Sequence, residues 1–171
     1  MKTEIETERK YIIVMPNISE LEKFKDYRED EIEQIYLPSE KGRTHRIRAR
    51  HTALGVVYTE TEKIRISNSS SIEKEGEITE ERFLALRSEM LAGTAVIKKT
   101  RHSFEYRNQV FEIDIYPEWE RTAIMEAELP SEDASFEIPT EIRVVREVTG
   151  NRDYSNAGMA RSFPKEDEIY L

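Results

Sequence analysis

Charged residues recur at every second position in several segments of this sequence. In residues 6–10 (Glu-Thr-Glu-Arg-Lys), an extended strand would aim its three even-numbered charges at one side, because successive side chains of a strand point to opposite faces. Residues 11–14 (Tyr-Ile-Ile-Val) are strongly β-forming, so the pattern predicts a strand at 2–14. The same spacing recurs in five later rows: Arg46/Arg48/Arg50, Glu73/Glu75/Glu77, Lys99/Arg101, Glu112/Asp114 and Glu126/Glu128.

The remaining pattern predicts an α+β chain in which antiparallel hairpins dominate. About eight strands are expected, separated by turn residues such as those at 38–42 and 53–55. The predicted strands are 2–14, 33–37, 43–51, 56–66, 72–78, 95–106, 109–116, 122–129 and 142–148. Residues 27–31 are predicted to form a polar connection, and the last residues, including 165–168, are predicted to be frayed.

Three or four short helices are expected outside the strands. The clearest is predicted at 79–92, where Thr79 is the N-cap and Gly93 ends the helix. Its apolar stripe consists of Phe83, Leu86, Met90 and Leu91. The other predicted helices are a short one capped by Ser19, a short acidic one after Pro130 and Ser131, and a last one that ends at Arg161.

The charged rows are interpreted as the inner face of a closed barrel. A single row is more often a solvated strand face, but the apolar residues between these charges, such as Ile47, Ile113 and Ala127, need cover that outer helices can supply. Acidic and basic rows lie on different strands, and like charges two residues apart destabilise a strand unless a counter-charge neutralises them. A barrel of about eight strands has room for side chains and one small ligand.

Charge balance inside such a barrel predicts a metal-bound polyphosphate. Enclosed ions without partners would each cost several kcal/mol, whereas divalent cations satisfy acids and a polyanion satisfies bases. The predicted interior acids are Glu6, Glu8, Glu75, Glu77, Glu112, Asp114, Glu126 and Glu128. The predicted interior bases are Lys10, Arg46, Arg48, Lys63, Lys99 and Arg101.

Composition narrows the class of protein. The 171 residues favour one domain, and 36% of them are charged, well above the usual quarter. A net charge of −9 argues against a nucleic-acid surface, and the lack of cysteine excludes disulfides, thiolate chemistry and a cysteine-based zinc site. No signal peptide and no apolar run of about 20 residues is evident, so a soluble cytoplasmic protein without a membrane partner is expected.

The sequence resembles the CYTH superfamily of triphosphate tunnel metalloenzymes over roughly residues 4–160. Residues 6–10 match the Glu-x-Glu-x-Lys signature of that superfamily, and the later blocks follow in the expected order. Those blocks are Arg46-Ile47-Arg48, Thr61-Glu62-Lys63, Glu75-Gly76-Glu77-Ile78, Lys99-Thr100-Arg101, Phe111-Glu112-Ile113-Asp114, Met125-Glu126-Ala127-Glu128-Leu129, and Glu147-Val148-Thr149 through Tyr154-Ser155-Asn156. The resemblance implies a closed eight-stranded antiparallel barrel, one CYTH-like domain spanning 1–171, that binds a triphosphate with Mg²⁺ or Mn²⁺.

Within that fold, residue chemistry suggests the roles of the individual side chains. Arginine gives phosphate forked hydrogen bonds and lysine gives it a point charge, and Mg²⁺ is held by a few carboxylates with substrate oxygens. The predicted substrate-binding residues are Lys10, Arg46, Arg48, Lys63, Lys99 and Arg101. The predicted metal ligands are Glu6, Glu8, Glu126 and Glu128, assisted by Glu75, Glu77 and Asp114. The predicted catalytic residues are Glu6, Glu8, Lys10, Glu126 and Glu128.

The expected activity is hydrolysis of inorganic triphosphate or of a nucleoside or organic triphosphate. Three alternatives stay open from the sequence: a class IV adenylyl cyclase, a thiamine triphosphatase, and a non-catalytic module that binds polyphosphate or nucleotide. The three histidines, His45, His51 and His102, are too scattered for a shared metal site. Nucleobase preference and oligomeric state are left open, and a homodimer is allowed.

Overall fold

The central element of the fold is a closed antiparallel barrel of eight strands, as the sequence predicts. The structure is a computed structural model and describes residues 1–170. Around the barrel the strands follow the order β1-β5-β4-β3-β2-β6-β7-β8, and β8 pairs with β1 again. The strands are β1 Lys2–Val14, β2 Lys25–Leu37, β3 Arg43–Thr52, β4 Gly55–Arg65, β5 Ser70–Ile78, β6 Ile97–Tyr106, β7 Gln109–Ile115, β8 Thr122–Glu128 and β9 Val144–Glu147.

Strand β1 closes the barrel because its two halves pair with different partners. Residues 2–7 pair with β5, and residues 8–14 pair with β8 on the other edge. The short strand β9 adds to β1 at residues 11–13, where β5 has already left it. The Glu-x-Glu-x-Lys segment therefore lies where both partners meet.

Within residues 1–170, four short helices lie outside the strands. They are α1 Ile18–Leu21, α2 Glu80–Arg87, α3 Asn156–Arg161 and α4 Glu166–Ile169, and a single 3₁₀ turn at Arg152–Tyr154 precedes α3. Thr79 caps α2 as predicted, since its side chain accepts from the backbone N–H of Arg82. Asn17 and not Ser19 caps α1. None of the helices within residues 1–170 has the length and hydrophobicity of a membrane-spanning helix.

The predicted polar connection at 27–31 is wrong, because these residues belong to the long strand β2. Residues 28–34 pair with β6 and residues 31–37 pair with β3, so backbone pairing on both edges overrides the polar composition. The strand places Asp30, Gln34 and Tyr36 on one face, and that face is the barrel interior.

Two predicted helices differ from the structure. Helix α2 ends at Arg87 instead of reaching residue 92, because the chain then turns so that Leu91 N–H donates to the backbone oxygen of Tyr36. Met90, which belongs to the predicted apolar stripe of this helix, is 41% exposed. The acidic helix predicted after Pro130 is absent from residues 131–141, which instead cover the barrel wall as an irregular segment.

The C-terminal segment is docked and not frayed. Ile169 is 0% exposed within the core, and Trp119 Nε1 donates to the backbone oxygen of Pro164 at 2.8 Å. The Glu166 carboxylate accepts from the backbone N–H groups of Glu120 and Arg121. These contacts fix α4 against the start of β8.

Three apolar clusters surround and plug the barrel. Two lie outside the wall, one including Leu21, Phe104 and Phe111 and the other centred on Ile47 and Phe83. The third cluster contains Ile12, Tyr36, Ile97, Tyr116 and Ile124, together with residues of α3 and α4. These five residues share their strand faces with the tunnel charges, so they fill one end of the barrel interior. The charged residues occupy the rest.

Candidate functional site

The charged rows converge inside the barrel, and part of them lines an open cavity of about 330 Å³. The cavity lies where β1 begins and β5 ends, at the end opposite the apolar plug. Its charged lining residues are Lys2, Glu4, Arg48, Arg50, Glu73, Glu75 and Glu77. Both signs of charge therefore face one cavity inside the barrel, which is the arrangement that the sequence pattern predicts.

Three carboxylates form a compact cluster deeper in the barrel. One oxygen each of Glu6, Glu8 and Glu126 lies within 4.8 Å of the other two. Burial and the negative charge of Glu126 raise the pKa of Glu8 well above its ordinary value. For Glu126, burial is outweighed by the charge of Lys10 and a hydrogen bond with Glu8, so its pKa is lowered. Glu8 and Glu126 therefore share a proton when no cation is bound.

In two further carboxyl pairs along the tunnel, the pKa of one member is also raised. Burial and a hydrogen bond with Glu6 raise the pKa of Glu73 to about 7. A hydrogen bond with Glu112, followed by burial, raises the pKa of Glu128 to about 9. Paired carboxyl groups of this kind leave the tunnel with more acids than its bases neutralise, which is a condition that favours a cation.

Asp114 is bound by bases and lies outside the carboxylate cluster. It accepts from Lys99 Nζ at 2.8 Å and from Arg101 Nε and Nη2 at 2.8 and 2.9 Å. Arg101 Nη1 also lies 2.6 Å from Glu112 Oε2. Although burial raises the pKa of Asp114, the charges of Arg101 and Lys99 lower it to about 2. Asp114 therefore binds two of the predicted phosphate-binding bases, Lys99 and Arg101.

Three more bases each have a carboxylate partner. Lys10 Nζ lies 3.9 Å from Glu126 Oε1, and Lys63 Nζ lies 3.4 Å from Glu6 Oε1. Arg46 Nη2 lies 3.8 Å from Glu73 Oε1. These contacts join the basic and acidic rows, since two of the acids belong to the carboxylate cluster.

Arg48 is held differently from the other bases. Its Nε and Nη2 groups donate to Gln34 Oε1 at 3.1 and 2.9 Å, and among residues 1–170 no carboxylate comes within ion-pair distance of it. Burial, followed by the positive charges of Arg46 and Arg101, lowers the pKa of Arg48 to about 10. Arg48 is therefore a half-buried cation that, among residues 1–170, has no carboxylate within 4.0 Å, although the charge of Glu75 acts on it from farther away.

The other predicted metal ligands lie outside the three-carboxylate cluster. Glu75 accepts from Thr61 Oγ1 at 2.8 Å, Glu77 lines the open cavity, and Glu128 pairs with Glu112. Glu73 and Gln34 also belong to the site, and neither is among the predicted site residues. Glu73 could have been found because it shares the row of Glu75, whereas Gln34 lay in a strand predicted to be short and carries no charge.

The donor set fits a divalent cation. Glu6, Glu8 and Glu126 supply carboxylate oxygens, which are the ligands that Mg²⁺ and Mn²⁺ prefer. Burial, followed by the negative charge of Glu126, raises the pKa of Glu8, and a cation bound at the cluster would neutralise that charge.

Solved structures of other proteins are similar to this closed barrel. No protein-family model matches the sequence, and no curated protein matches it. Among solved structures, the inorganic triphosphatase NE1496 matches with a TM-score of 0.59 and 27% identity, over 93% of this chain and 96% of that chain. The PH1819 protein from Pyrococcus horikoshii OT3 matches with a TM-score of 0.57 and 21% identity, over 75% and 80% of the two chains. The closed barrel with its inward charges, matched by a triphosphatase over nearly its whole length, confirms the resemblance to the CYTH superfamily of triphosphate tunnel metalloenzymes.

Proposed function

We propose that this chain is a metal-dependent triphosphatase that hydrolyses inorganic triphosphate or a nucleoside or organic triphosphate inside the barrel. The observation that carries this proposal is the contact between the predicted phosphate-binding bases and the carboxylate cluster. Lys10 belongs to the basic set, and its Nζ lies 3.9 Å from Glu126 of the carboxylate cluster. A ligand that touches both sets must carry anionic groups and bring a cation, as a metal–triphosphate complex does.

The structural neighbour NE1496 supports a triphosphatase at the level of the family. That protein is described as an inorganic triphosphatase, and its identity of 27% extends over nearly both chains. The choice of substrate among triphosphates, and the choice of Mg²⁺ or Mn²⁺, are proposals that rest on the chemistry of the lining residues.

The chain's own residues bind and orient the substrate in this proposal. Arg48 offers its charge to a phosphate, and Lys99 and Arg101 are held beside it by Asp114. Glu6, Glu8 and Glu126 would hold the metal ion, with Glu75, Glu77 and Glu128 as further candidates. The ion would supply charge neutralisation and Lewis-acid polarisation of phosphate oxygens.

Hydrolysis then needs positioning more than covalent chemistry. A water oxygen forms a bond to the terminal phosphorus while the bond from that phosphorus to the bridging oxygen breaks, which gives orthophosphate and the shortened leaving phosphate. A tunnel carboxylate accepts the proton of the water. The bases stabilise the negative charge that develops on the leaving oxygen.

Product analysis tests the proposal. The purified protein is incubated with Mg²⁺ or Mn²⁺ and with tripolyphosphate, ATP or thiamine triphosphate in turn. We expect orthophosphate release. Pyrophosphate together with a cyclic nucleotide would instead identify an adenylyl cyclase, and binding without turnover would identify a non-catalytic module.

A matched pair of variants ties the activity to the cluster. Glu8→Gln removes a cluster carboxylate, and we expect metal-dependent turnover to fall by at least about 10- to 100-fold. Glu62→Gln makes the same change on the exposed outer face of β4 and should leave turnover unchanged. Equal activity of both variants would contradict the metal role of Glu8. The cytoplasmic location stays a prediction from the sequence.

A further inference from the structure

Gln34 is a neutral residue on the inward face of β2, next to Arg48. It lies opposite Arg48 in the register of β2 and β3, and its side chain is completely buried. One oxygen, Gln34 Oε1, accepts both hydrogen bonds from Arg48, at 3.1 and 2.9 Å. These bonds fix one edge of the guanidinium group, the side that carries Nε and Nη2.

The orientation of the Gln34 amide is fixed by a second partner. Gln34 Nε2 donates to the hydroxyl oxygen of Tyr36 at 2.7 Å. An amide turned by 180° would place its NH₂ group against the Arg48 donors, where neither side could accept. The hydrogen-bond chain therefore presents the amide oxygen to Arg48.

The other five tunnel bases are bound by carboxylates, which makes Arg48 the exception within residues 1–170. Each of those five has an acidic oxygen within 4.0 Å. The pairs are Lys10 with Glu126, Arg46 with Glu73, Lys63 with Glu6, Lys99 with Asp114, and Arg101 with Glu112 and Asp114. An amide oxygen positions a guanidinium group as a carboxylate does, but it does not cancel the charge.

We propose that Gln34 is a positioning residue that holds Arg48 in place while leaving its positive charge free for an anionic phosphate group of the substrate. This inference rests on the proposed triphosphatase function and deepens it. Arg48 also lines the open cavity, so an anion in that cavity can reach the part of the guanidinium group that Gln34 leaves free. Burial, followed by the charges of Arg46 and Arg101, lowers the pKa of Arg48, and the charge of Glu75 only partly opposes this.

The isosteric variant Gln34→Glu tests the inference because it keeps the shape and adds the missing counter-charge. The carboxylate would pair with Arg48, so we expect the KM for tripolyphosphate to rise about 10- to 100-fold, as for the loss of a charge-assisted hydrogen bond. The melting temperature should stay equal or rise, since a half-buried cation gains a partner. A residue that only fills space would show the opposite result, a lower melting temperature with an unchanged KM.

Two controls separate the local effect from the added charge. Thr3→Glu adds the same charge to the exposed outer face of β1 and should leave the KM unchanged. In an Arg48→Met background, Gln34→Glu should cause no further rise of KM, because the residue through which Gln34 acts is gone. A full additional rise in that background would overturn the inference.

Binding of tripolyphosphate, measured by calorimetry with Mg²⁺ present, distinguishes a failure of the proposed triphosphatase function from a failure of the proposed role of Gln34. If the wild-type protein neither binds nor hydrolyses any triphosphate, the proposed function fails, and the role of Gln34 fails with it. If the wild-type protein binds tripolyphosphate and Gln34→Glu binds it equally tightly, only the role of Gln34 fails. Weaker binding by Gln34→Glu alone is the expected result.

Discussion

Lys99 Nζ lies 2.8 Å from Asp114 Oδ2, and the two side chains are 0% and 1% exposed. Asp114 also accepts two hydrogen bonds from Arg101, so one carboxylate compensates two buried cations. Removing one partner of a buried ion pair is strongly destabilising, because the remaining charge is left without compensation.

For this reason Asp114→Asn should lower the free energy of unfolding by about 3–5 kcal/mol. Urea denaturation followed by circular dichroism measures this. Glu112→Gln is the control, since Arg101 keeps Asp114 in that variant, and its loss should be smaller. Equal stability of Asp114→Asn and the wild type would show that the pairing contributes little.

Anion binding without metal should weaken as the pH rises through neutrality. Burial lowers the pKa of Lys99 to about 7, helped by the charges of Arg101 and Arg48 and opposed by Asp114. Below this pH Lys99 is charged and attracts phosphate, and above it Lys99 is neutral. Calorimetric titration of tripolyphosphate between pH 6 and 9, in chelator, measures the dependence.

Lys99→Met isolates the contribution of this lysine to the pH dependence. The tunnel carboxyl groups and the ligand itself also titrate, and they do so in both proteins. We expect the pH dependence to be steeper in the wild type than in Lys99→Met. Parallel curves would place the titration elsewhere.

Glu60 anchors α2 to the outer wall of the barrel. His45 Nε2 lies 2.8 Å from Glu60 Oε2, and Arg82 Nε donates to Glu60 Oε1 at 2.9 Å. Burial raises the pKa of Glu60, but the hydrogen bonds from His45 and Arg82 outweigh this and lower it. Because the folded pKa lies below the ordinary value of 4.5, this stabilisation is present above pH 4.5 and is lost as the pH falls through the lowered pKa.

Glu60→Gln should accordingly cost about 1–3 kcal/mol of stability at pH 7, and this difference should shrink in acid. Thermal or urea unfolding at pH 7 and at pH 3 gives both numbers. The same substitution at the exposed Glu62 of β4 serves as the reference and should change stability little at either pH. A Glu60→Gln difference that grows in acid would contradict the assigned sign.

Because helix α4 is docked against the barrel, we expect a substitution of its buried residue to lower the stability of the protein strongly. Ile169 is fully buried against the cluster that plugs the barrel. Ile169→Ala should therefore destabilise the protein by about 2–5 kcal/mol, as buried large-to-small changes do. Glu168→Ala, on the exposed side of the same turn, should be nearly neutral when both are compared by urea denaturation.

The sequence predicted the barrel because period-two charge is a local signal that each strand carries by itself. It did not predict the full length of β2, because residues 27–31 are polar and look like a connection. They form a strand because β3 and β6 pair with β2 on its two edges. The end of α2 and the docking of Ile169 depend on contacts with distant segments, which no local pattern contains.

The site shows the same division between local and distant information. The rows placed Glu6, Glu8 and Glu126 on inward faces, but their proximity depends on the register of β1 with β8. The register of β6 with β7 likewise determines that Asp114, a predicted metal ligand, pairs with Lys99 and Arg101. Gln34 carries no charge and could not stand out in a pattern made of charges.

The division of β1 between two partners has a consequence for how the protein is made. Among the strands of the barrel β1 is synthesised first, yet it needs residues 70–78 on one edge and residues 122–128 on the other. Pairings so distant in sequence form slowly, because a long loop must be ordered before they contribute stability. Until β8 has been synthesised, the charged rows of the other strands therefore stay exposed to water. The free-energy cost of dehydrating them arises only when β8, the eighth strand, pairs with β1 and closes the barrel.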